Sequence, residues 1–377
     1  MLYLFEVAMD PVAIILNVAL FLVIFMSLFF SQRLQTWKAV RNLTIALSQL
    51  ESWRDYCKSK IFEKCFRYSK DKLTKNQIEQ RIDEILAFEY IEPSNIDPPL
   101  VPKMDLFLKF KENRFWTLME NIALGADEAE IQNLINLVEI TASLQDLFLQ
   151  VRHYLELGKK TRSLLLLLNI EMKLSTFMKY AHAYVEAADA FSEAAPIGDS
   201  IGPLAIAEFI REQTQRKSVA HEDLGHHNIL QKLQFEGRDL FLVRAKGPGG
   251  FVGKPEKAIS HVLKQHPGDF KLILTIDAGL KLEGEETGAV TLGIGVAIGG
   301  DGIEKFNLES VIVAQEILVE AIICKVSMEE SISTMKKKII DSIPQILKLI
   351  RREVRINTQP DDKVIIAGIG NSIGVGI

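Results

Sequence analysis

Residues 11–30 read PVAIILNVALFLVIFMSLFF, and no other stretch limits so strongly what this chain can become. The run holds no charge, and its only clearly polar residues are Asn17 and Ser27. A helix rises about 1.5 Å per residue, so about 20 apolar residues cross a hydrocarbon core of about 30 Å. A buried core helix is rarely apolar on every face for so long. A cleaved signal peptide would need a basic n-region and a small-residue cleavage site. Here the preceding residues include Glu6 and Asp10 without Lys or Arg, and the far side carries Phe29, Phe30 and Gln32. A retained, single membrane span is the expectation. Between positions 31 and 72 there are ten Lys or Arg and four Asp or Glu. Positive flanks stay on the cytoplasmic side, which predicts the N-terminus outside and the body inside. The same basic stretch suits anionic lipid headgroups, or equally a solvated helix face.

The rest of the chain is long enough for two domains with sizeable cores. The net charge of −5 gives no global nucleic-acid footprint. Cys57, Cys65 and Cys324 are too few and too scattered for a disulfide framework or a zinc site, which suits a reducing cytoplasm.

Organisation follows from periodicity. Residues 31–69 look helical and amphipathic, continuing the anchor. Thr74 can cap a helix that ends at Leu86. Four prolines between 93 and 102 indicate a loop or linker. Helices are expected at 104–110, 113–124, 127–157 and 161–190. The five leucines at 164–168 are too short a run to span a membrane. After Pro196 glycine becomes frequent and short β-branched runs appear. Strands are expected at 240–244, 272–276, 290–298, 319–325 and 364–367, with helices at 203–214, 255–265 and 328–355. The predicted organisation is an anchor (1–30), an all-α helical domain (31–195) and a Rossmann-like α/β domain (196–377) with a mostly parallel sheet. Sites in such sheets lie beyond the carboxyl ends of the strands.

Five segments could carry chemistry. In Pro196-Ile197-Gly198-Asp199-Ser200-Ile201-Gly202-Pro203 the glycines permit a tight turn before a helix, and Asp199 either caps that helix or presents a carboxylate at the sheet rim. In Leu272-Ile273-Leu274-Thr275-Ile276-Asp277 a uniformly apolar strand ends in one acid, which marks a sheet edge and is either a functional carboxylate or a turn-forming residue. The segment from Lys246 to Pro255 has Gly247, Gly249, Gly250 and Lys254 between a strand and a helix, like a phosphate-cradling loop. It departs from the Walker A pattern, since Pro255 stands where Ser or Thr would hold magnesium. Gly293, Gly295, Gly299, Gly300 and Gly302 surround Asp301 and allow close backbone approach or a tight turn. The C-terminal segment runs from an apolar strand into Gly368-Ile369-Gly370-Asn371-Ser372-Ile373-Gly374. His221, His226 and His227 read as surface histidines of a polar loop, because adjacent histidines do not match a helical ligand pair. No G-x-S-x-G elbow occurs.

These motifs together resemble an archaeal family of membrane-anchored proteins of unknown activity, over the whole chain. Residues 196–377 more distantly resemble the group of the spore germination protease and the hydrogenase-maturation endopeptidases. Asp199-Ser200-Ile201-Gly202-Pro203 is similar to the aspartate-x-leucine-glycine-proline segment of that protease. Residues 246–255 are similar to its glycine-rich loop, and Ile276-Asp277-Ala278 to its isoleucine-aspartate-alanine strand. The resemblance implies Asp199 and Asp277 as catalytic acids, with Ser200, Gly247, Gly249, Gly250, Lys254 and Asn371 contacting substrate. In those families the GIGN-like strand precedes the aspartate loop. Here it comes last, which suggests a circular permutation that inserts the terminal strand beside the Asp199 helix. The metal-binding histidine of the maturation enzymes has no clear match.

Two functions remain open. One is an aspartate-dependent, endopeptidase-like hydrolase acting on a protein or peptide, with a divalent metal such as Mg²⁺ or Mn²⁺ as a variant. The other is a non-enzymatic module that binds a nucleotide, an anion or a protein at the membrane. Membrane lipid is the expected contact of the N-terminal helix, and nucleic acid is not an expected partner.

Overall fold

The computed structural model describes residues 11–70, 72–87, 100–215, 219–266, 270–297, 309, 312 and 316–376. Most of the expected linker at 93–102 and the glycine turn around Asp301 lie outside the described residues.

The N-terminal part is helical. Helix α1 (Pro11–Tyr68) is one continuous element of 58 residues, about 87 Å at the usual rise. Its two halves differ. The first is apolar and solvent-exposed, with Leu16 at 70% and Val23 at 65%. The second buries Ala39, Leu43, Ala46 and Leu50, and then Cys57, Ile61 and Cys65, in a stripe three or four residues apart. Helix α2 (Lys75–Leu86) begins at Thr74, whose hydroxyl accepts from the Gln77 amide while the Gln77 side chain accepts from the Thr74 amide. Helix α3 (Leu100–Glu120) replaces the two helices expected at 104–110 and 113–124. Pro102 falls in its first turn, where a missing N–H costs no hydrogen bond. Helices α4 (Glu128–Thr161) and α5 (Leu164–Glu193) follow. Both α1 and α4 are long and apolar enough to cross a membrane, but half of the apolar window of α4 is buried, as in a core helix, and none of that of α1.

The chain forms two compact units. One holds α1 up to residue 52 together with residues 145–178; the other holds 53–144 and 179 onward. In the first, Asn42 donates to Glu171 at 2.7 Å, and Gly158 packs against Leu167.

The second unit contains a seven-stranded mixed sheet. Its strands are β1 (His221–Gly225), β2 (Asn228–Phe235), β3 (Arg238–Ala245), β4 (Phe270–Leu280), β5 (Val290–Ile294), β6 (Leu318–Val326) and β7 (Lys363–Gly368). The spatial order is β1-β2-β3-β7-β4-β6-β5. The four inner strands are parallel, and β1, β2 and β5 add antiparallel edges. The expected mostly parallel sheet is therefore corrected to a mixed one. The missed strands β1 and β2 form a hairpin in the segment taken for a polar loop. Its two-residue turn is His226-His227, with φ of 51° and 58° in place of the Asn-Gly that usually marks such a turn.

Helix α6 (Ile201–Gln213) and helix α10 (Ile343–Asn357) cover one face of the sheet, with Phe209, Leu242, Leu274, Ile346 and Ile366 in the shared core. Helix α7 (Pro255–Gln265) covers the other face, with Ile259, Val262, Ile273 and Ile365. The single helix expected over 328–355 is broken into α8 (Met328–Ile332), α9 (Lys337–Ile340) and α10. The break has two causes. Thr334 bridges to Ile197 in a short antiparallel pairing, with Gly198 donating to the Ser333 carbonyl and Met335 to that of Pro196. Pro344 then stands in the first turn of α10, where proline starts a helix rather than continues one.

Candidate functional site

The carboxyl ends of β4 and β7 meet the start of α6 at one edge of the sheet. The Ile369 amide donates to the Ile276 carbonyl at 2.8 Å and so ties the two strand ends together. Gly202, in the first turn of α6, lies against this pair: a Cβ there would overlap the carbonyl oxygens of Ile369 and Ile276. Just before α6, a short 3-10 turn (Gly198–Ser200) carries Asp199. One Asp199 carboxylate oxygen, Oδ2, accepts the Asn371 amide at 2.8 Å. Burial pushes the Asp199 carboxyl above the usual aspartate range, and the Asn371 hydrogen bond opposes that shift only in part. Ser200 is buried, with its hydroxyl accepting from the Ile197 amide at 3.3 Å, so its oxygen serves the turn itself.

Asp277 is 5% exposed and closes the apolar part of β4. Side chains alternate along a strand. The core assigns the two faces of β4: Leu272, Leu274 and Ile276 face α6 and α10, while Ile273 faces α7. Asp277 therefore points to the α7 face, next to Ile323 across the β6 ladder. There it lines a cleft of about 320 Å³ with Gly279, Gly293, Gly295, Ala321 and Ile323. The turn of Asp199 packs against β4, but Asp199 does not line the cleft of Asp277, which opens on the α7 face. Among the described residues no group of three His, Cys, Asp or Glu converges as metal ligands.

The glycine-rich loop has a different job from the one its sequence suggests. Gly247, Gly249 and Gly250 are close-packed: a Cβ at Gly247 would strike the Val375 carbonyl, one at Gly249 would meet Ala129, and one at Gly250 would meet Asn136. The backbone is sewn down. The Gly250 amide donates to Asn133 Oδ1 at 2.9 Å, and its carbonyl accepts from the side-chain amides of Asn136 at 2.8 Å and Asn371 at 3.1 Å. The Ser372 hydroxyl lies within 3.0 Å of the carbonyls of Lys246, Gly249 and Phe251. These groups are spent on internal bonds, so the loop is a structural clasp and not an open anion cradle. Asn133 and Asn136 escaped the sequence reading. Their spacing of three residues on one helix face was the available signal, but nothing local says what they hold. An Asn133→Ala variant would strand the buried Gly250 amide. Its expected cost is about 1–3 kcal/mol, seen as a thermal midpoint several degrees lower.

Lys254 stands apart from the acids. It lines a cavity of about 520 Å³ with Lys109, Lys257, Trp116, His226 and Phe251. All three cysteines are free and buried, and burial pushes the Cys57 and Cys65 thiols up to about 12, which leaves little thiolate.

The N-terminal domain model of a family described as proteins of unknown function, DUF1512, matches residues 17–194. The C-terminal domain model of the same family matches residues 197–376. The chain belongs to the DUF1512 family. No curated protein matches it. In this DUF1512 protein the two matches meet just before the turn of Asp199, so both acids, the glycine-rich loop and the terminal strand fall in the C-terminal domain. Asn133 and Asn136 fall in the N-terminal one. The clasp on Gly250 therefore joins the two family domains through named hydrogen bonds.

Proposed function

We propose that this protein is a membrane-tethered hydrolase in which Asp199 and Asp277 act as the acid–base pair on a protein or peptide substrate. The observation that carries this reading is the Asp199 carboxyl: burial raises it, and the Asn371 amide holds it in a turn that packs against β4, the strand of Asp277. A carboxyl whose pKa is raised holds its proton more readily and is the better candidate to protonate a leaving group. Asp277, opening on its glycine-walled cleft, would activate the attacking water. The position of β7 between β3 and β4 brings Asn371 from the end of the chain to Asp199, as the proposed circular permutation requires. The membrane part of the proposal rests on the apolar half of α1, and the orientation on the basic residues that follow it. Body inside and N-terminus outside predicts that protease digests the body in inverted vesicles and spares it in right-side-out ones.

Activity is tested with the full chain in neutral detergent against a peptide mixture, with cleavage read by mass spectrometry. Asp199→Asn and Asp277→Asn should each lower turnover by about 10²–10⁴-fold, the usual loss for a general acid or base. Turnover retained in both variants would end the proposal. A stability measurement gives Asp199 a second, independent signature. Its folded-state value is raised, so its contribution to stability is present at low pH and lost as pH rises through that value. Asn cannot ionise and can still accept from the Asn371 amide. Asp199→Asn should therefore raise the thermal midpoint at pH 8, with the gain fading as pH falls towards the ordinary aspartate value near 3.8. An inactive but stabilised variant is the pattern of an acid kept for function at a cost in stability.

A further inference from the structure

We propose that the cavity beside the His226-His227 turn is a binding site for a soluble organic phosphate of nucleotide size, with its phosphates among Lys109, Lys254 and Lys257 and its flat ring against Trp116. Its volume of about 520 Å³ suits a small organic ligand. Three lysines are among its lining residues, and among the described residues neither Lys109 nor Lys257 is paired with a carboxylate. Of the two acids on the lining, Glu139 is already bonded to Lys111 at 2.9 Å, which leaves Glu112 against three ammonium groups. Lys254 also stands at the N-cap of α7, beside the cavity.

Part of the lining is aromatic. Trp116 stacks on His227 with ring centroids 6.1 Å apart and planes 25° from parallel, and His227 stacks on Phe251 at 4.3 Å and 16°. Such a lining accepts a flat ring through its π-face. His227 is also held by Glu128, whose carboxylate lies 3.2 Å from Nδ1. Both histidines adopt the left-handed conformation that asparagine and glycine prefer, so the hairpin delivers two imidazoles to the cavity at the expense of backbone strain. The His226 imidazole is held below its usual range, first by burial and then by Lys257, Lys254 and Lys109, so the three ammonium groups act together on one lining residue. This site does not depend on Asp199 or Asp277.

The test is isothermal titration of the full chain in neutral detergent with ADP, with inorganic phosphate, and with phosphatidylglycerol vesicles. ADP should bind saturably, and inorganic phosphate at least tenfold more weakly because it lacks the ring. The Lys109→Glu/Lys257→Glu double variant should bind ADP at least 30-fold more weakly with an unchanged thermal midpoint. Trp116→Leu should weaken ADP about tenfold and leave inorganic phosphate unaffected. Asp277→Asn should bind ADP like the wild type, which separates this site from the hydrolytic reading. No ADP binding at millimolar concentration, or equal binding by the double variant, overturns the proposal. So does lysine-dependent binding of phosphatidylglycerol vesicles without binding of ADP, which would put a lipid headgroup in the cavity.

Discussion

A Gly202→Ala variant is expected to lose more than about 3 kcal/mol of stability, although it adds one methyl group in the first turn of a helix where alanine is the better helix former. The new Cβ would overlap the carbonyl oxygens of Ile369 and Ile276. Both are backbone atoms at the ends of neighbouring inner strands, and the Ile369–Ile276 hydrogen bond locks them to each other. No side-chain rotation can relieve the overlap. Either α6 lifts from the sheet or the ends of β4 and β7 separate. Lifting α6 would open a core containing Ile206, Phe209 and Ile366. Separating the strands would pull Asn371 from Asp199. In a unit of about 290 residues, about 3 kcal/mol corresponds to a fall of about 5 °C in thermal midpoint. Gly293→Ala is the matched control, because nothing lies within 4 Å of its added Cβ and its φ is not left-handed. It should change the midpoint by no more than about 2 °C. A Gly202→Ala protein that melts with the wild type would show that α6 does not sit on the strand edge.

The same residues show how far the sequence could be read. Gly198 and Gly202 signalled a tight turn, and the structure adds close approach: a Cβ at 198, 202, 368 or 370 would meet Glu330, Ile276, Gly202 or Asp199 in turn, whereas nothing lies within 4 Å of one at Gly293 or Gly295, where close approach was one of the expectations. The inner strands were legible because parallel strands buried on both faces are continuous apolar runs. The hairpin β1–β2 was not, for two reasons. Strand β1 is an exposed edge with the polar sequence HEDLG, and its turn uses His-His where asparagine and glycine normally signal a reversal. The break at 333–335 was hidden because it depends on pairing with 196–198, more than a hundred residues away. The clasp on the glycine-rich loop failed to show for the same reason. Its partners Asn133, Asn136, Asn371 and Ser372 come from a distant helix and from the chain end. Glycine spacing reports that a backbone is approached closely, but not whether a phosphate or another part of the same chain does the approaching. Here the approach of the chain itself accounts for Gly247, Gly249 and Gly250, while Lys254 of that segment faces the neighbouring cavity.

The largest effect on the whole molecule should come from two arginines at the middle of the apolar run. Residues 11–30 contain fourteen Leu, Ile, Val or Phe. At about −0.3 to −0.6 kcal/mol each they favour insertion by roughly 4–8 kcal/mol. An arginine at the centre of a span costs about 2.5–3.5 kcal/mol. Leu20→Arg and Val23→Arg together therefore bring the balance close to zero, since two favourable residues are lost and about 5–7 kcal/mol is added. Both side chains are exposed, at 57% and 65%, so the substitutions disturb no internal packing. The expected result is a wild-type chain that stays in the membrane pellet through an alkaline carbonate wash and a double variant found largely in the supernatant. Arginine on the exposed flank, as in Gln35→Arg, should leave the protein in the pellet, because that position lies beyond the run among residues already basic. The comparison also discriminates between a tether and a core helix. A core helix would respond to internal arginines by unfolding, and the thermal midpoint of the body would fall. A tether would release a body whose midpoint is unchanged, because the stripe that α1 buries starts only at Ala39. If the double variant remains in the carbonate pellet, the apolar half of α1 does not hold this protein in a bilayer, and the membrane tether of the proposed hydrolase is lost.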